Sequence, residues 1–328
     1  FGSSLAPVAT KLGLLMGSTC SGEAMQSGSS TAQAKHILVT GGNAGIGLAM
    51  CKLLATSTQP ASEYPTPAPP PCYVYLGSRN PKKGEVAVKT IIDEFPDAAG
   101  KIEMLQIDVV DDASCKAAAA SLKEKGVKLY ALVNNAGMGL AQEGGFGTAD
   151  ILNTNFYGPK RVTEAFVDLI DDKEGRIVNV SSGAASMYLK KQDAKLKQVL
   201  SNPDLSFEEL DATIKEQVVA DNTGFGKGYG LSKAALSALT LVQAKAYPNL
   251  KVVSLSPGFI DTAMTKGYGA KLTPEQGCVS SLVCLFAHVT SGYYYGSDGI
   301  RAPLTMTRDP GMPEYQGEAE PDAKVYNK

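Results

Sequence analysis

The sequence predicts an α/β fold: a doubly wound parallel sheet of about seven strands with helices on both faces. Three observations carry this. Short apolar runs alternate with helix-length amphipathic segments from residue 36 to about residue 300, the βα alternation that builds parallel sheets. The first run, His36 to Thr40, passes directly into Gly41-Gly42-Asn43-Ala44-Gly45-Ile46-Gly47 and then a helical stretch, a strand, glycine turn and helix. Later runs end on short polar or glycine-bearing turns: Ser78-Arg79, Asp108-Val109, Asn134-Asn135-Ala136-Gly137, Ser181-Ser182 and Ser256-Pro257-Gly258. Ligands of such sheets sit at the carboxyl ends of strands, so these turns form the candidate site.

Each element follows in order. Leu48 to Ala55 has helical spacing. Residues 56–71 carry Pro60, Pro65, Pro67, Pro69, Pro70 and Pro71, too long and polar for an ordinary connection, and read as a surface insertion. Tyr73–Leu76 is the second strand and 81–95 a helix. Ile102–Ile107 is the third strand, and 112–125 an alanine-rich helix. Leu129–Val133 is the fourth strand, 147–171 a helix, and Arg176–Val180 the fifth strand. A helix follows Tyr229, and Lys251–Leu255 is the sixth strand. Tyr293-Tyr294-Tyr295 reads as strand and rim packing. No repeat or second-domain boundary appears, so 35–303 reads as one domain. Residues 304–328, with three prolines and no apolar stripe, read as an extended tail on the surface.

Composition narrows the function classes. With 31 basic and 33 acidic residues, the net charge is −2, so there is no basic footprint for nucleic acid. No apolar run reaches the length of a membrane span. The histidines are His36 and His288, and the six cysteines (Cys20, Cys51, Cys72, Cys115, Cys278, Cys284) contain no C-x-x-C pair. No metal site is expected, and the thiols read as reduced in a reducing compartment. Residues 1–34 are rich in Ser, Gly, Ala and Thr, with only Lys11 and Glu23 charged. They read either as a flexible leader or as the remnant of a targeting segment. A soluble protein of plastid or cytoplasm is therefore expected, with the compartment open.

The glycine cluster has the chemistry of a phosphate cradle. Glycine lets the backbone approach a pyrophosphate, and the helix N-terminus offers free N–H groups and positive potential. Its spacing is G-x-x-x-G-x-G (Gly41, Gly45, Gly47) rather than G-x-G-x-x-G.

Taken in order, Thr40-Gly-Gly-Asn-Ala-Gly-Ile-Gly47, Asn134-Asn-Ala-Gly137, Ser182, Tyr229-Gly-Leu-Ser-Lys233 and Pro257-Gly258 resemble the short-chain dehydrogenase/reductase family, most of all its monomeric carbonyl reductase branch. The resemblance covers about residues 36–300. It implies a Rossmann-type sheet, a nicotinamide cofactor and reduction of a small-molecule carbonyl to an alcohol. Tyr229 and Lys233 stand one helical turn apart. A nearby ammonium should lower the phenol pKa from about 10 toward neutrality, making Tyr229 the general acid. Ser182 can donate a hydrogen bond to the substrate carbonyl. The resemblance further implies that Asn155 holds a water of a proton relay.

An arginine at the end of the second strand favours a 2′-phosphate, whereas an acid there excludes it. Arg79, with Lys82 and Lys83 behind it, therefore points to NADP(H). One departure stands: related reductases carry a basic residue where this chain has Ala44. The expected cofactor contacts are Gly41, Asn43, Gly45, Ile46, Gly47, Ser78, Arg79, Asp108 and Val109. Asn134, Asn135, Ala136, Gly137, Tyr229, Lys233, Pro257 and Gly258 complete them, with Ile260 and Thr262 at the nicotinamide. Two other functions stay open. One is a cofactor-binding structural or assembly protein. The other is a specialised pigment or terpenoid oxidoreductase with an apolar pocket.

In this chain 47 positions separate Ser182 from Tyr229, against little more than a dozen in most of the family. The extra segment, about 187–226, holds a capping box at Ser206-Phe-Glu-Glu209, and Leu210, Ile214 and Val218 recur every four residues, as on one helix face. It reads as a helical insertion packed on the body. The resemblance implies that it covers the face ordinary members use to dimerise, hence a monomer.

Overall fold

A computed structural model describes residues 34–139 and 146–328. The reading of residues 1–34 as a leader, and Cys20 with it, falls almost wholly outside the described residues.

Seven parallel strands form one sheet: β1 (Lys35–Val39), β2 (Cys72–Ser78), β3 (Ile102–Gln106), β4 (Ala131–Asn134), β5 (Arg176–Val180), β6 (Lys251–Leu255) and β7 (Tyr294–Tyr295). Their order is β3-β2-β1-β4-β5-β6-β7. The chain winds one way from β1 and the other way from β4, which leaves a crevice where those two strands end. Both faces of the sheet are covered, so the central strands are apolar throughout. On β1, Ile37 and Val39 enter one core layer and Leu38 the other. The first layer takes Met50 and Leu54 of α1 (Gly45–Thr56), Ile91 of α2 (Pro81–Glu94) and, further along the chain, Leu282 of a helix over Val279–Phe286. The second takes Leu122 of α3 (Asp112–Glu124) and Phe166.

The helix expected over 147–171 is broken into α4 (Thr148–Leu152), a π-helical turn (Asn153–Tyr157), α5 (Gly158–Phe166) and a final 3-10 turn (Val167–Leu169). Pro159 gives the reason: it has no N–H to donate four residues back, to Asn155, and its ring crowds that carbonyl. The wider turn absorbs the mismatch. Leu129, expected in the fourth strand, makes only an isolated bridge with Ile170.

Between β5 and the following long helix come α6 (Gly183–Lys190), α7 (Ala194–Leu200) and α8 (Phe207–Val219); the long helix itself is α9 (Phe225–Ala246). At the start of α8, Ser206 Oγ accepts Glu209 N–H at 3.2 Å and Glu209 Oε2 accepts Ser206 N–H at 3.0 Å. Leu210 and Ile214 are fully buried in a cluster with Leu231 and Leu239 of α9. Val218 is not part of that face and stays exposed, because the last turn of α8 projects beyond the body.

The tail is more firmly held than the sequence predicts. Arg308 grips Asp298 in a buried bidentate pair with Nη1–Oδ1 at 2.9 Å, and Gly311 N–H adds a third donor at 2.8 Å. A buried carboxylate is stable only when satisfied this fully. Tyr326, in a short helix over Ala323–Tyr326, is buried against Tyr315. The five described cysteines are free and buried. Burial pushes their thiols up, Cys72 to about 12 and Cys115 to about 11, which suppresses thiolate reactivity.

Candidate active site

β1 ends at Val39, and the chain turns sharply at Gly41 with φ +65°, a left-handed conformation that favours glycine. A β-carbon there would come within 2.9 Å of Ala136 Cα. At Gly47 it would strike the Asn135 amide and the Gly41 carbonyl. The two loops are clamped together from below. Thr40 Oγ1 accepts the N–H groups of Asn135 and Ala136, both at 3.0 Å, and Asn135 Nδ2 donates to Thr40 O at 2.9 Å. No side chain caps the N-terminus of α1, so its first amides are available to a ligand.

A cleft of about 610 Å³ opens over this loop at the carboxyl ends of the strands. Gly41, Asn43, Gly45, Ile46 and Gly47 form its floor, and Ser78, Arg79, Asp108 and Val109 close one end. Asn135, Ala136 and Gly137 line the middle, with Tyr229, Lys233, Pro257 and Thr262 at the other end. The remaining expected residues lie behind this lining. Asn134 is buried, its Nδ2 donating to Asn179 Oδ1 at 2.9 Å and so tying β4 to β5. Gly258 shapes the turn after β6 with φ +95°. Ile260 is buried against Gly277, so it supports the wall rather than facing the cleft. Lys83 joins Arg79 on the lining; Lys82 does not.

Sequence reasoning missed several lining residues. Asn80 caps α2 by accepting Lys83 N–H at 3.1 Å, a signal present in Asn80-Pro81. Met138, Phe146, Ala263 and Met264 also line the cleft. They belong to no motif, and only the fold brings them there.

The catalytic candidates converge at the start of α9. Gly224, Gly226, Lys227 and Gly228 all have positive φ, a kink from which the regular helix resumes at Tyr229. Tyr229 and Lys233 are both buried. The Lys233 ammonium donates to Val180 O at 2.8 Å and lies 5.8 Å from the centre of the Tyr229 ring. Burial pushes Tyr229 above its ordinary value, and a hydrogen bond with Ser182 offsets part of that. The direction is opposite to the expected drop, because desolvation of the buried phenol dominates. Burial also pushes Lys233 down, to about 8. Ser182 caps α6, its Oγ accepting Ala184 N–H at 3.1 Å, which leaves its own proton free to donate.

Asn155 sits in the π-helical turn with no exposed surface. Its Nδ2 donates to Met138 O at 2.9 Å and Ser232 Oγ at 3.0 Å, and its Oδ1 accepts Met138 N–H at 2.9 Å. Both amide protons are engaged, so the side chain braces the Met138 loop, and a relay water of the kind the resemblance implies would have to be held by another atom of Asn155, such as its backbone carbonyl. Ser232 extends the brace by donating to Tyr229 O at 2.8 Å. The wide turn left by Pro159 is what brings Asn155 to Met138.

Together these residues place a protonated phenol and a buried amine at one end of an open cleft, with Ser182 behind the lining next to Ser181. That arrangement can bind a carbonyl oxygen and protonate it.

Comparison with known proteins agrees with this geometry. A family model described as short chain dehydrogenase matches residues 70–194. The (+)-neomenthol dehydrogenase of Arabidopsis thaliana is 32% identical over 279 residues, covering 75% of this chain and 89% of the relative. Salutaridine reductase from Papaver somniferum superposes with a TM-score of 0.66 at 28% identity, covering 80% of this chain and 99% of that one. An NADPH-bound carbonyl reductase from chicken fatty liver gives 0.59 at 26%, covering 81% and 97%. The chain belongs to the short-chain dehydrogenase/reductase family of oxidoreductases.

Proposed function

We propose that the protein uses NADPH to reduce the carbonyl group of a bulky apolar small molecule to an alcohol. The observation that carries this is the pairing of buried Tyr229 and Lys233, one helical turn apart, at one end of a glycine-floored cleft. The cofactor fits the residues present. The uncapped α1 N-terminus and Gly41–Gly47 would take the pyrophosphate, and Asp108 lies where the adenine would be met. Arg79 and Lys83 flank the end of β2, where no acid opposes a 2′-phosphate.

When bound, the nicotinamide supplies a hydride to the carbonyl carbon. The protein's part is the oxygen. Ser182 orients and polarises it by hydrogen bonding. Tyr229, held protonated by burial, delivers its proton as negative charge develops there. Lys233 stands near the resulting phenolate and stabilises it. The apolar character of the substrate follows from Met138, Phe146 and Met264 on the lining and from exposed Phe225 beside Tyr229. A relative named for neomenthol accords with such a substrate.

Oxidation of NADPH with menthone and with phenanthrenequinone tests the reading. Turnover of at least one with NADPH preferred over NADH supports it; binding of NADPH without turnover of either opposes it. We also read the chain as a monomer, since α8 buries Leu210 and Ile214 against α9. A stable dimer in light scattering at micromolar concentration would contradict that.

A further inference from the structure

The turn that carries Ser182 is held from outside its own loop. Ser182 has an extended backbone, φ −170° and ψ 155°, and its side-chain direction depends on how that peptide is fixed. Within the loop, Ser182 O accepts Ala185 N–H at 3.0 Å. Two anchors come from the far edge of the sheet. Gly183 N–H donates to Ser256 Oγ at 2.9 Å, and Tyr294 OH donates to Ser182 O at 3.1 Å.

Tyr294 is itself well fixed. It pairs with Ser254 in the β6–β7 register, and its carbonyl accepts Ala302 N–H at 2.9 Å. Its side chain is buried but does not line the cleft. Burial pushes its phenol up to about 12, the Ser186 and Ser256 hydroxyls opposing, so the proton it donates is present throughout the working range. A phenylalanine would fill the same space. The hydroxyl alone reaches across β6 to the end of β5.

Resting on the role proposed for Ser182, we infer that Tyr294 is a positioning residue: its hydroxyl, with Ser256, sets the peptide that aims Ser182 at the substrate carbonyl. Its side chain is off the cleft lining, and its phenol lies near enough to Tyr229 to interact with it. Its loss should therefore act on turnover, and the cycle below separates the route through Ser182 from a direct effect on Tyr229.

The test is a double-mutant cycle of Tyr294→Phe with Ser182→Ala, using NADPH and phenanthrenequinone. Tyr294→Phe should lower kcat about five- to tenfold, the worth of one hydrogen bond in placement, with NADPH affinity and KM unchanged. In the Ser182→Ala background the same change should cost less than twofold, since the group being positioned is gone. Losses that multiply in the double variant, or a Tyr294→Phe enzyme with wild-type kcat, would overturn the inference. If Ser182→Ala itself costs nothing, the role of Ser182 falls, and this inference with it. Should Tyr294→Phe not fold, Ser256→Ala removes the other anchor of the same turn and must show the same non-additivity with Ser182→Ala.

Discussion

Asn155 offers the sharpest separation between a brace and a chemical relay. Asn155→Ala removes three hydrogen bonds of 2.9, 2.9 and 3.0 Å in a site without exposed surface. It leaves both polar groups of the Met138 peptide and the Ser232 hydroxyl short of a partner. Met138 is half-buried on the cleft, so each of its groups costs about 1 kcal/mol, and Ser232 keeps its bond to Tyr229 O. The sum is about 2–3 kcal/mol, a drop in Tm of roughly 4–12 °C for a domain of this size. Urea or thermal unfolding measures it directly, and kcat per folded molecule is read separately at low temperature. A brace predicts a large stability loss, with turnover falling only as far as the Met138 loop and Tyr229 relax. Unfolding within about 1 kcal/mol of wild type, together with abolished kcat, would refute the reasoning.

Arg79→Asp should move the ratio of NADPH to NADH dissociation constants by about 30-fold or more, from loss of a charge-assisted phosphate contact and gain of repulsion; an unaltered ratio would assign the phosphate to Lys83. Lys233, pushed down to about 8, is cationic below that pH and neutral above it, so kcat/KM measured with NADPH as the varied reactant should fall as pH rises through about 8, and a profile flat to pH 10 would contradict a role for the charged amine. Arg308→Ala leaves Asp298 buried without its partner and should cost about 3–5 kcal/mol in unfolding measurements; a neutral effect would mean that the tail is not anchored through this pair.

The sheet was legible in the sequence because burial on both faces makes each strand a continuous apolar run, as in Ile37-Leu38-Val39. The glycine loop and the Tyr229–Lys233 pair were legible because close backbone approach and one-turn helical spacing are properties of local sequence. What escaped was set by tertiary packing. The break after Leu152 depends on where Pro159 meets the wide turn that carries Asn155. The rise of the Tyr229 pKa depends on its desolvation, and the Lys233 ammonium is taken up by the Val180 carbonyl far along the chain. Met138, Phe146 and Met264 reach the cleft through loops whose course no motif records. Val218 shares the helical spacing of Leu210 and Ile214, but periodicity does not say where a helix leaves the body. In the tail, Arg308 and Asp298 read as surface charges until the fold buries them together.

The central claim is that the Tyr229 hydroxyl delivers the proton. Single-turnover reduction of phenanthrenequinone by the NADPH complex of wild type and Tyr229→Phe tests it most directly. The ring, its burial and the cofactor cradle are all kept, so NADPH affinity should be unchanged while the rate falls about 10²- to 10⁴-fold, the range for loss of a general acid. A Phe variant retaining more than about a tenth of the wild-type rate, a barrier change under roughly 1.4 kcal/mol, would contradict the account.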